Sequence, residues 1–169
     1  VYFYMRNQSL MGKSVDGLKT KIGSSFHEYQ YGASFGGPII KNKAFFFVNF
    51  EQTRRQEPTF YNIGDPGAAI TATDAQAIAN KLQGLGYDPG SYNGAYKLFT
   101  NSDKIFTRFD FKLSNKSNLM IRAIYTNGSG NNLERSSTNF QFGSTDFTQY
   151  TKNLNLVGEL KTKFTNNLS

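Results

Sequence analysis

Apolar and polar residues alternate along three parts of the chain with the period of two that a β-strand imposes on its side chains. The first part, residues 30–55, predicts a strand, a tight polar turn at 41–43 and a second strand. On the second strand one face carries Ala44, Phe46, Val48 and Phe50, and the other carries Phe45, Phe47, Asn49, Glu51 and Thr53. Because Asn49 and Glu51 are polar, we expect the second face to meet water.

Prolines and glycines set the expected limits of this first hairpin. We expect Gly36-Gly37-Pro38 to interrupt the first strand, since proline has no N–H to donate and glycine weakens a strand. Glu57-Pro58 is expected to end the second strand for the same reason.

The second part, residues 104–126, has the clearest alternation. One face carries Ile105, Thr107, Phe109, Phe111 and Leu113 before a turn at 114–117, and then Leu119, Ile121, Ala123 and Tyr125. Counting back through that turn places Asp110 close to opposite Arg122, which predicts an ion pair on the polar face. In a partly solvated setting such a pair contributes about 0–1 kcal/mol. The third part, 147–164, predicts a last strand whose apolar face Lys152 interrupts, with another turn at 165–167.

Long connections alternate strictly with short ones along the chain. The long ones are 11–27, 59–102 and 127–146, and the short ones are 41–43, 114–117 and 165 onward. Outer-membrane barrels have short periplasmic turns and long extracellular loops, so this alternation favours a barrel segment of about six antiparallel strands. A soluble β-sandwich is the alternative. The aromatic residues approximate two girdles, namely Phe35, Phe46, Phe111 and Phe164 beside the short turns and Phe50, Tyr125 and Tyr150 near the long loops.

The stretch 59–102 is expected to be a long extracellular loop that contains one short helix. Thr73 and Gln76 have capping-box spacing, and Ile78, Leu82 and Leu85 fall on one helical face. Gly84 and Gly86 offer left-handed stops, and Asp88-Pro89-Gly90 predicts a turn. Loops of this length are uncommon unless they are functional. The candidate extracellular contacts are Tyr87, Tyr92 and Tyr96, which could equally pack the loop itself.

Composition narrows the function classes. The chain of 169 residues has no Cys, no Trp, a single His and a formal charge of +7. No apolar run approaches the roughly 20 residues of a membrane helix, whereas barrel strands need only about 9–11. The chain carries no signal peptide at Val1, so we interpret it as a segment of a longer polypeptide, without a plug domain. Six strands cannot close a wide barrel, so we expect further strands of the same protein to pair with its edges.

Catalysis, metal binding and cofactor binding have little support in these residues. His27 is the only histidine and no cysteine is present, so we expect neither an enzyme nor a cofactor. Aromatic and charged residues fall on opposite strand faces, which argues against nucleic-acid binding. The expected lumen-facing residues are Asn49, Glu51, Arg108, Asp110, Lys112 and Arg122. They could hold a plug, pass polar solutes or only solvate the inner wall.

The first hairpin also resembles a known signature. Phe35-Gly36-Gly37-Pro38, then Phe45-Phe46-Phe47, Glu51 and Arg54, is similar to the FGGPI–K–K–FFF–NYE–R pattern of TonB-dependent outer-membrane receptors, and most similar to their Oar-like branch. Val48 and Phe50 stand where Gly and Tyr are usual.

The resemblance implies a bacterial outer-membrane protein whose barrel of about 22 strands surrounds a plug. It also implies import of a substrate too large for porins, driven by a TonB-type energy-transducing protein. Its other expected partners are outer-membrane lipid, the rest of its own barrel and possible surface proteins. The alternatives are a structural or adhesive barrel that recruits partner proteins without active transport and, third, a passive porin.

Overall fold

A computed structural model describes residues 1–12, 14–15, 18–19 and 25–164. Six long or medium strands form the fold: β1 (Tyr2–Asn7), β4 (His27–Ile40), β5 (Ala44–Pro58), β6 (Lys97–Lys112), β7 (Ser117–Asn131) and β8 (Thr148–Thr162). A small separate pair consists of β2 (Ser14–Val15) and β3 (Leu18–Lys19). The described helices are α1 (Ala72–Gly84) and two 3-10 turns, Gln8–Leu10 and Gly143–Thr145.

The six strands form one antiparallel sheet in which neighbours in space are also neighbours in the chain, in the order β1-β4-β5-β6-β7-β8. This confirms the predicted all-β architecture with one short loop helix. The connections 41–43 and 113–116 are short, whereas 8–26, 59–96 and 132–147 are long, so the predicted alternation holds. Asn42 closes the first short turn in the left-handed region, with φ of 60°. The predicted turn at 165–167 lies outside the described residues.

Three strand limits differ from the sequence-based expectation. β6 begins at Lys97 rather than Lys104, and β7 continues to Asn131 through Gly128 and Gly130. Apart from Leu98 and Phe99, these extensions are polar and lack apolar alternation, but the neighbouring strands pair with them. The expected interruption at Gly36-Gly37-Pro38 is also wrong, because β4 stays paired to Pro38 and only its register shifts between Pro38 and Ile40.

The helix α1 starts earlier than its predicted cap. Its N-cap is Thr71, whose hydroxyl accepts a hydrogen bond from the backbone N–H of Asp74 at 3.2 Å. Thr71 and Asp74 therefore form the capping pair that Thr73 and Gln76 were expected to form. Gly86 follows the helix with φ of +84°, as predicted, whereas Gly84 is the last residue of α1 and is not left-handed, so that part of the prediction is wrong. In the part of the chain that the structure describes, no helix is long and apolar enough to cross a membrane.

Strand register separates the sheet into two faces. The apolar face consists of the even positions of β5 from 44 to 50 and of their cross-strand partners, which form four rows. These rows are Ala44, Phe111, Leu119 and Leu160; Phe46, Phe109, Ile121 and Gly158; Val48, Thr107, Ala123 and Leu156; and Phe50, Ile105, Tyr125 and Leu154. The opposite face, with Asn49, Glu51, Arg108 and Asp110, is the polar face.

The apolar face has no second layer among the described residues. Leu156 in its centre is 69% exposed, and the buried apolar residues are Ala44, Ala75, Ala79 and Leu133, of which only Ala44 belongs to the sheet. A soluble sandwich would bury this face against another sheet. A continuous exposed apolar band instead needs lipid to cover it. The sheet is therefore a single-layer wall.

The apolar band occupies only part of the height of the strands. The next row of the same face contains Gln52, Asp103, Asn127 and Lys152, which are all polar. Strands β5 to β8 have 15 or 16 residues each, longer than the roughly 9–11 that cross a bilayer. The wall therefore continues past the apolar band on the side of the long loops.

Candidate functional site

Every residue that we expected to face the lumen lies on the polar face. The set is Asn49, Glu51, Arg108, Asp110, Lys112 and Arg122. Near the short turns, Arg108, Asp110 and Lys112 help to line a concavity of about 350 Å³ whose apolar floor includes Phe45 and Met120. The arrangement offers fixed charges of both signs beside a shallow apolar surface.

The predicted ion pair between Asp110 and Arg122 is wrong. Met120 lies opposite Asp110, and Arg122 lies opposite Arg108. The second short turn closes earlier than expected, with the N–H of Leu113 donating to the carbonyl of Ser117 at 2.9 Å, and this displaces the register. Asp110 instead accepts two hydrogen bonds of 2.8 Å from Arg108 on its own strand.

A tyrosine from the edge strand crosses the polar face, a contact that sequence reasoning missed. The ring of Tyr2 covers Gly32, where an added Cβ would lie 2.6 Å from the ring. The Tyr2 hydroxyl donates to Glu51 at 2.8 Å, and Lys104 donates to the other oxygen of Glu51 at 3.2 Å. The three side chains connect β1, β5 and β6 across β4. The signal in the sequence was Gly32, a bare position within a strand that an aromatic ring can cover.

The residues of the resemblance motif come together across β4 and β5. Gly36, Gly37 and Pro38 pair with Phe47, Phe46 and Phe45. The rings of Phe35 and Phe46 meet edge-on at 5.3 Å on the apolar face. Gly36 is required by a close approach, because an added Cβ would lie 2.8 Å from the carbonyl oxygen of Phe46. Farther up, Arg54 binds Asp103 at 2.7 Å, and Glu51 binds Lys104 as described.

The two long connections 59–96 and 132–147, called here the loop cap, pack on one another. The N–H of Gly143 donates to Ser91 at 2.9 Å, and the N–H of Ser144 donates to Pro89 at 3.0 Å. Gly90 has φ of +66°, and an added Cβ would lie 2.5 Å from the nitrogen of Ser144, so only glycine fits there. The predicted turn at 88–90 is therefore where one loop meets the other.

A buried arginine lies at the centre of the loop cap. Arg135 is only 7% exposed and donates to the side chain of Asn62 at 2.9 Å and to the carbonyl of Gly94 at 2.7 Å. Its guanidinium also lies over the ring of Phe140, 4.5 Å from the centroid. Burial lowers the pKa of Arg135, while the nearby Tyr96 opposes that shift. Neutral acceptors and ring faces thus hold this cation, and no carboxylate pairs with it among the described residues.

A second polar cluster joins the loop cap to the top of the sheet. The hydroxyl of Tyr96 donates to Asp146 at 2.8 Å, and the side chain of Asn131 donates to the same carboxyl oxygen at 3.0 Å. The hydrogen bond to Asp146 is the main cause that raises the pKa of Tyr96. The backbone of Asn132 donates to the other oxygen of Asp146. Asp146 therefore ties the loop cap to the last residue of β7.

The three candidate contact tyrosines have different surroundings. Tyr87 is 67% exposed just after the helix. Tyr92 is half-buried, its ring lies tilted against that of Phe142 with the centroids 5.4 Å apart, and its hydroxyl donates to Gln76 at 3.0 Å. Tyr96 uses its hydroxyl within the cap. Tyr92 and Tyr96 therefore pack the loop itself. Of the three tyrosines, only Tyr87 has a mostly exposed ring.

Candidate chemistry beyond this is sparse in the described part of the chain. No group of three or more His, Cys, Asp or Glu residues is placed to hold a metal ion there. His27 begins β4 half-buried, with its ring 5.3 Å from that of Tyr29.

Comparison with known proteins gives one family. The family described as an outer membrane beta barrel domain matches residues 1–97, more than half of the chain. That range covers β1 to β5, the helix and the whole resemblance motif. Neither the curated proteins nor the solved structures contain a match.

Proposed function

The chain belongs to the outer membrane beta barrel domain family and lies in the bacterial outer membrane, and from this premise we propose that it is part of a TonB-dependent receptor that binds and imports a substrate too large for porins. The observation that carries the proposal is the paired FGGP and FFF motif on β4 and β5 within a single-layer wall. The role is binding and transport rather than catalysis.

The polar face would then line the lumen and meet a plug. Its charged residues Glu51, Arg108 and Asp110 form ion pairs within the wall, Glu51 with Lys104 and Arg108 with Asp110. Salt bridges within the wall leave hydrogen-bonding capacity on their carboxylates for a polar partner. We therefore place the plug of the same protein against this face.

Further strands of the same protein would complete the barrel. Among the described residues, the outer edges of β1 and β8 have no partner strand. Unpaired N–H and C=O groups cost several kcal/mol each in lipid, so both edges require pairing. Strands beyond the six described here supply it in this proposal.

The loop cap favours a second candidate function. Arg135 and Asp146 hold the long loops in one arrangement, and Tyr87 and Leu85 remain exposed on it. A rigid surface with exposed apolar residues suits a partner protein, since little ordering entropy is lost on binding. A structural or adhesive barrel that recruits surface partners without transport is therefore the alternative.

Two measurements on the intact protein separate these functions. Mass spectrometry of the polypeptide from outer-membrane fractions gives its full sequence, and the periplasmic domain of the TonB-type protein is then used as bait for the purified receptor. A plug domain with a TonB box, together with binding that deletion of the box abolishes, is the expected result. A full-length barrel that lacks both and does not bind the bait would contradict transport and favour the adhesive role.

A further inference from the structure

Lysines collect at the short-turn end of the wall. We call this set the lysine rim; its members are Lys41, Lys43, Lys112, Lys116, Lys161 and Lys163. All six are exposed. The chain has 19 Lys and Arg against 12 Asp and Glu, so these six account for nearly the whole excess of positive charge.

The fold brings these lysines together from three separate segments. The N–H of Lys112 donates to the carbonyl of Lys43 at 2.8 Å, and the N–H of Lys163 donates to the carbonyl of Lys116 at 2.9 Å. These backbone contacts hold the ends of β5, β6, β7 and β8 side by side. The rim is therefore one continuous band and not a set of scattered surface charges.

The rim lacks compensating negative charge. The segments 39–45, 111–117 and 160–164 contain no Asp or Glu. The nearest carboxylates on these strands are Asp110, which binds Arg108, and Glu159, which binds Lys161 at 2.8 Å. The other five lysines form no salt bridge among the described residues.

The opposite end of the wall has a different charge arrangement. There Arg54 binds Asp103, Arg55 binds Glu57 and Lys104 binds Glu51. Three cations at that end are thus paired with carboxylates of neighbouring residues, whereas five of the six rim lysines are not paired within the part of the chain that the structure describes.

Large apolar side chains stand directly beside the rim. The exposed ones are Phe35, Ile39, Ile40, Leu113, Leu160 and Phe164. Phe35 and Leu160 belong to the apolar face by register, so the rim begins where the lipid-covered band ends. Lysine stems can lie along such an apolar border while the ammonium groups reach the headgroup layer.

Lys112 and Lys161 lie on the polar face, where both pair with Asn118, so the rim lysines available to lipid are those of the turns, Lys41, Lys43, Lys116 and Lys163. We propose that these four lysines bind the phosphate groups of anionic phospholipids in the leaflet at the short-turn end, so that the wall gathers negatively charged lipid around its base. Its position at the border of the apolar band favours a lipid partner, and its charge favours an anionic headgroup. The inference rests on the proposed membrane role of the wall and adds the class of lipid that the wall selects.

The experiment compares two spin-labelled lipids around the intact protein in phosphatidylcholine bilayers. Electron paramagnetic resonance measures the motionally restricted fraction of phosphatidylglycerol and of phosphatidylcholine, each added in trace amount. We expect phosphatidylglycerol to be enriched several-fold at low salt and the enrichment to fall towards none at high salt, because exposed charges are screened.

Matched variants locate the effect. The rim variant carries Lys41→Gln, Lys43→Gln and Lys116→Gln, all in turns where the side chains make no contact that the fold needs. The control removes the same charge from the loop end through Arg55→Gln, Lys81→Gln and Lys97→Gln. The rim variant should lose most of the preference for phosphatidylglycerol, and the control should keep it.

Equal association of both lipids with the wild-type protein would overturn the proposal and leave a periplasmic protein as the partner of the rim. Equal loss in the rim variant and the control would overturn it as well. Failure of the intact protein to enter the bilayers, seen as no restricted lipid of either kind, would instead contradict the membrane role itself.

Discussion

Arg135 is the residue on which the loop cap depends most. A buried cation is stable only when hydrogen bonds replace its water, and here Asn62, Gly94 and the ring of Phe140 do so. Removing the guanidinium takes a donor from Asn62, Gly94 and Gln141 at once. Leaving a buried polar group unsatisfied costs about 1–3 kcal/mol. Arg135 is therefore a main contact that holds the two long loops in one arrangement.

The first prediction concerns that side chain. Arg135→Met should destabilise the loop cap by about 2–4 kcal/mol, because several acceptors lose their donor together. Hydrogen exchange of the intact protein would show lost protection at 89–96 and 141–144, with the strands unchanged. Arg55→Met, at an exposed arginine, should change protection by no more than about 0.5 kcal/mol. Unchanged exchange in Arg135→Met would contradict this role.

Tyr96 gives the loop cap a dependence on alkaline pH. Its hydroxyl donates to Asp146, so the protonated phenol is favoured and its pKa is raised. A raised pKa means that the contribution is complete below the ordinary value of about 10 and is lost as the pH rises through the higher folded value. Ionisation of Tyr96 removes one of the three hydrogen bonds that Asp146 accepts and places a second negative charge beside its carboxylate.

The second prediction follows from this bond. The difference in tyrosinate absorbance between wild type and Tyr96→Phe should show one phenol whose pKa lies above the ordinary tyrosine value of about 10. Limited proteolysis of the loops should accelerate over the same pH range in the wild type. A difference spectrum that rises at or below about pH 10 would mean that the bond to Asp146 does not form in solution.

Among the strands, the register between β6 and β7 is the feature that can be tested most sharply, because the structure and the sequence-based prediction differ there. Asp110 lies opposite Met120, and residues directly opposite in antiparallel strands have Cα atoms about 4.5–5.5 Å apart. That separation suits a disulfide. Arg122, which counting along the chain placed opposite Asp110, lies one diagonal step away.

The third prediction uses the absence of native cysteine in this chain. The pair Asp110→Cys and Met120→Cys in the intact protein should oxidise readily to a disulfide. The control pair Asp110→Cys and Arg122→Cys should remain mostly reduced under the same conditions. Faster oxidation of the control pair would restore the register that the sequence predicted.

The sequence alone predicted the strands that have one apolar and one polar face. It missed the strand segments whose two faces have similar polarity. Phe109 and Arg108 alternate strongly, so the core of β6 was evident. Residues 100–103 and 127–131 are polar on both faces, and only their neighbours in the sheet make them strands. The register was wrong because it depends on which residues close the turn at Leu113 and Ser117, which periodicity does not specify.

The candidate sites also include residues that the sequence predicted and residues that it did not. The expected lumen-facing set falls on one face because parity along a strand decides it. The centre of the loop cap was not predictable, since Arg135 meets Asn62 across 73 residues of chain. Nothing local distinguishes Arg135 from a solvated arginine, and the packing role of Tyr96 arises from Asp146 in the other loop.

At the scale of the whole molecule, the chain is a wall with three levels. The lysine rim lies at the short turns, the apolar band lies in the middle, and the polar extension with the loop cap lies at the other end. This order matches a strand that enters a bilayer, crosses it and continues into water. In this arrangement the apolar face of the wall meets lipid and the polar face does not.

A nitroxide scan of β6 in the intact protein in lipid bilayers tests this arrangement most directly. Collisions of the nitroxide with oxygen and with a water-soluble nickel chelate are recorded at each position from 99 to 111. We expect high oxygen access at 105, 107, 109 and 111, lower oxygen access at 106, 108 and 110, and high nickel access in place of oxygen access at 99, 101 and 103, where the apolar band has ended. High nickel access at 105–111 on both faces, or oxygen access without a period of two, would contradict this arrangement.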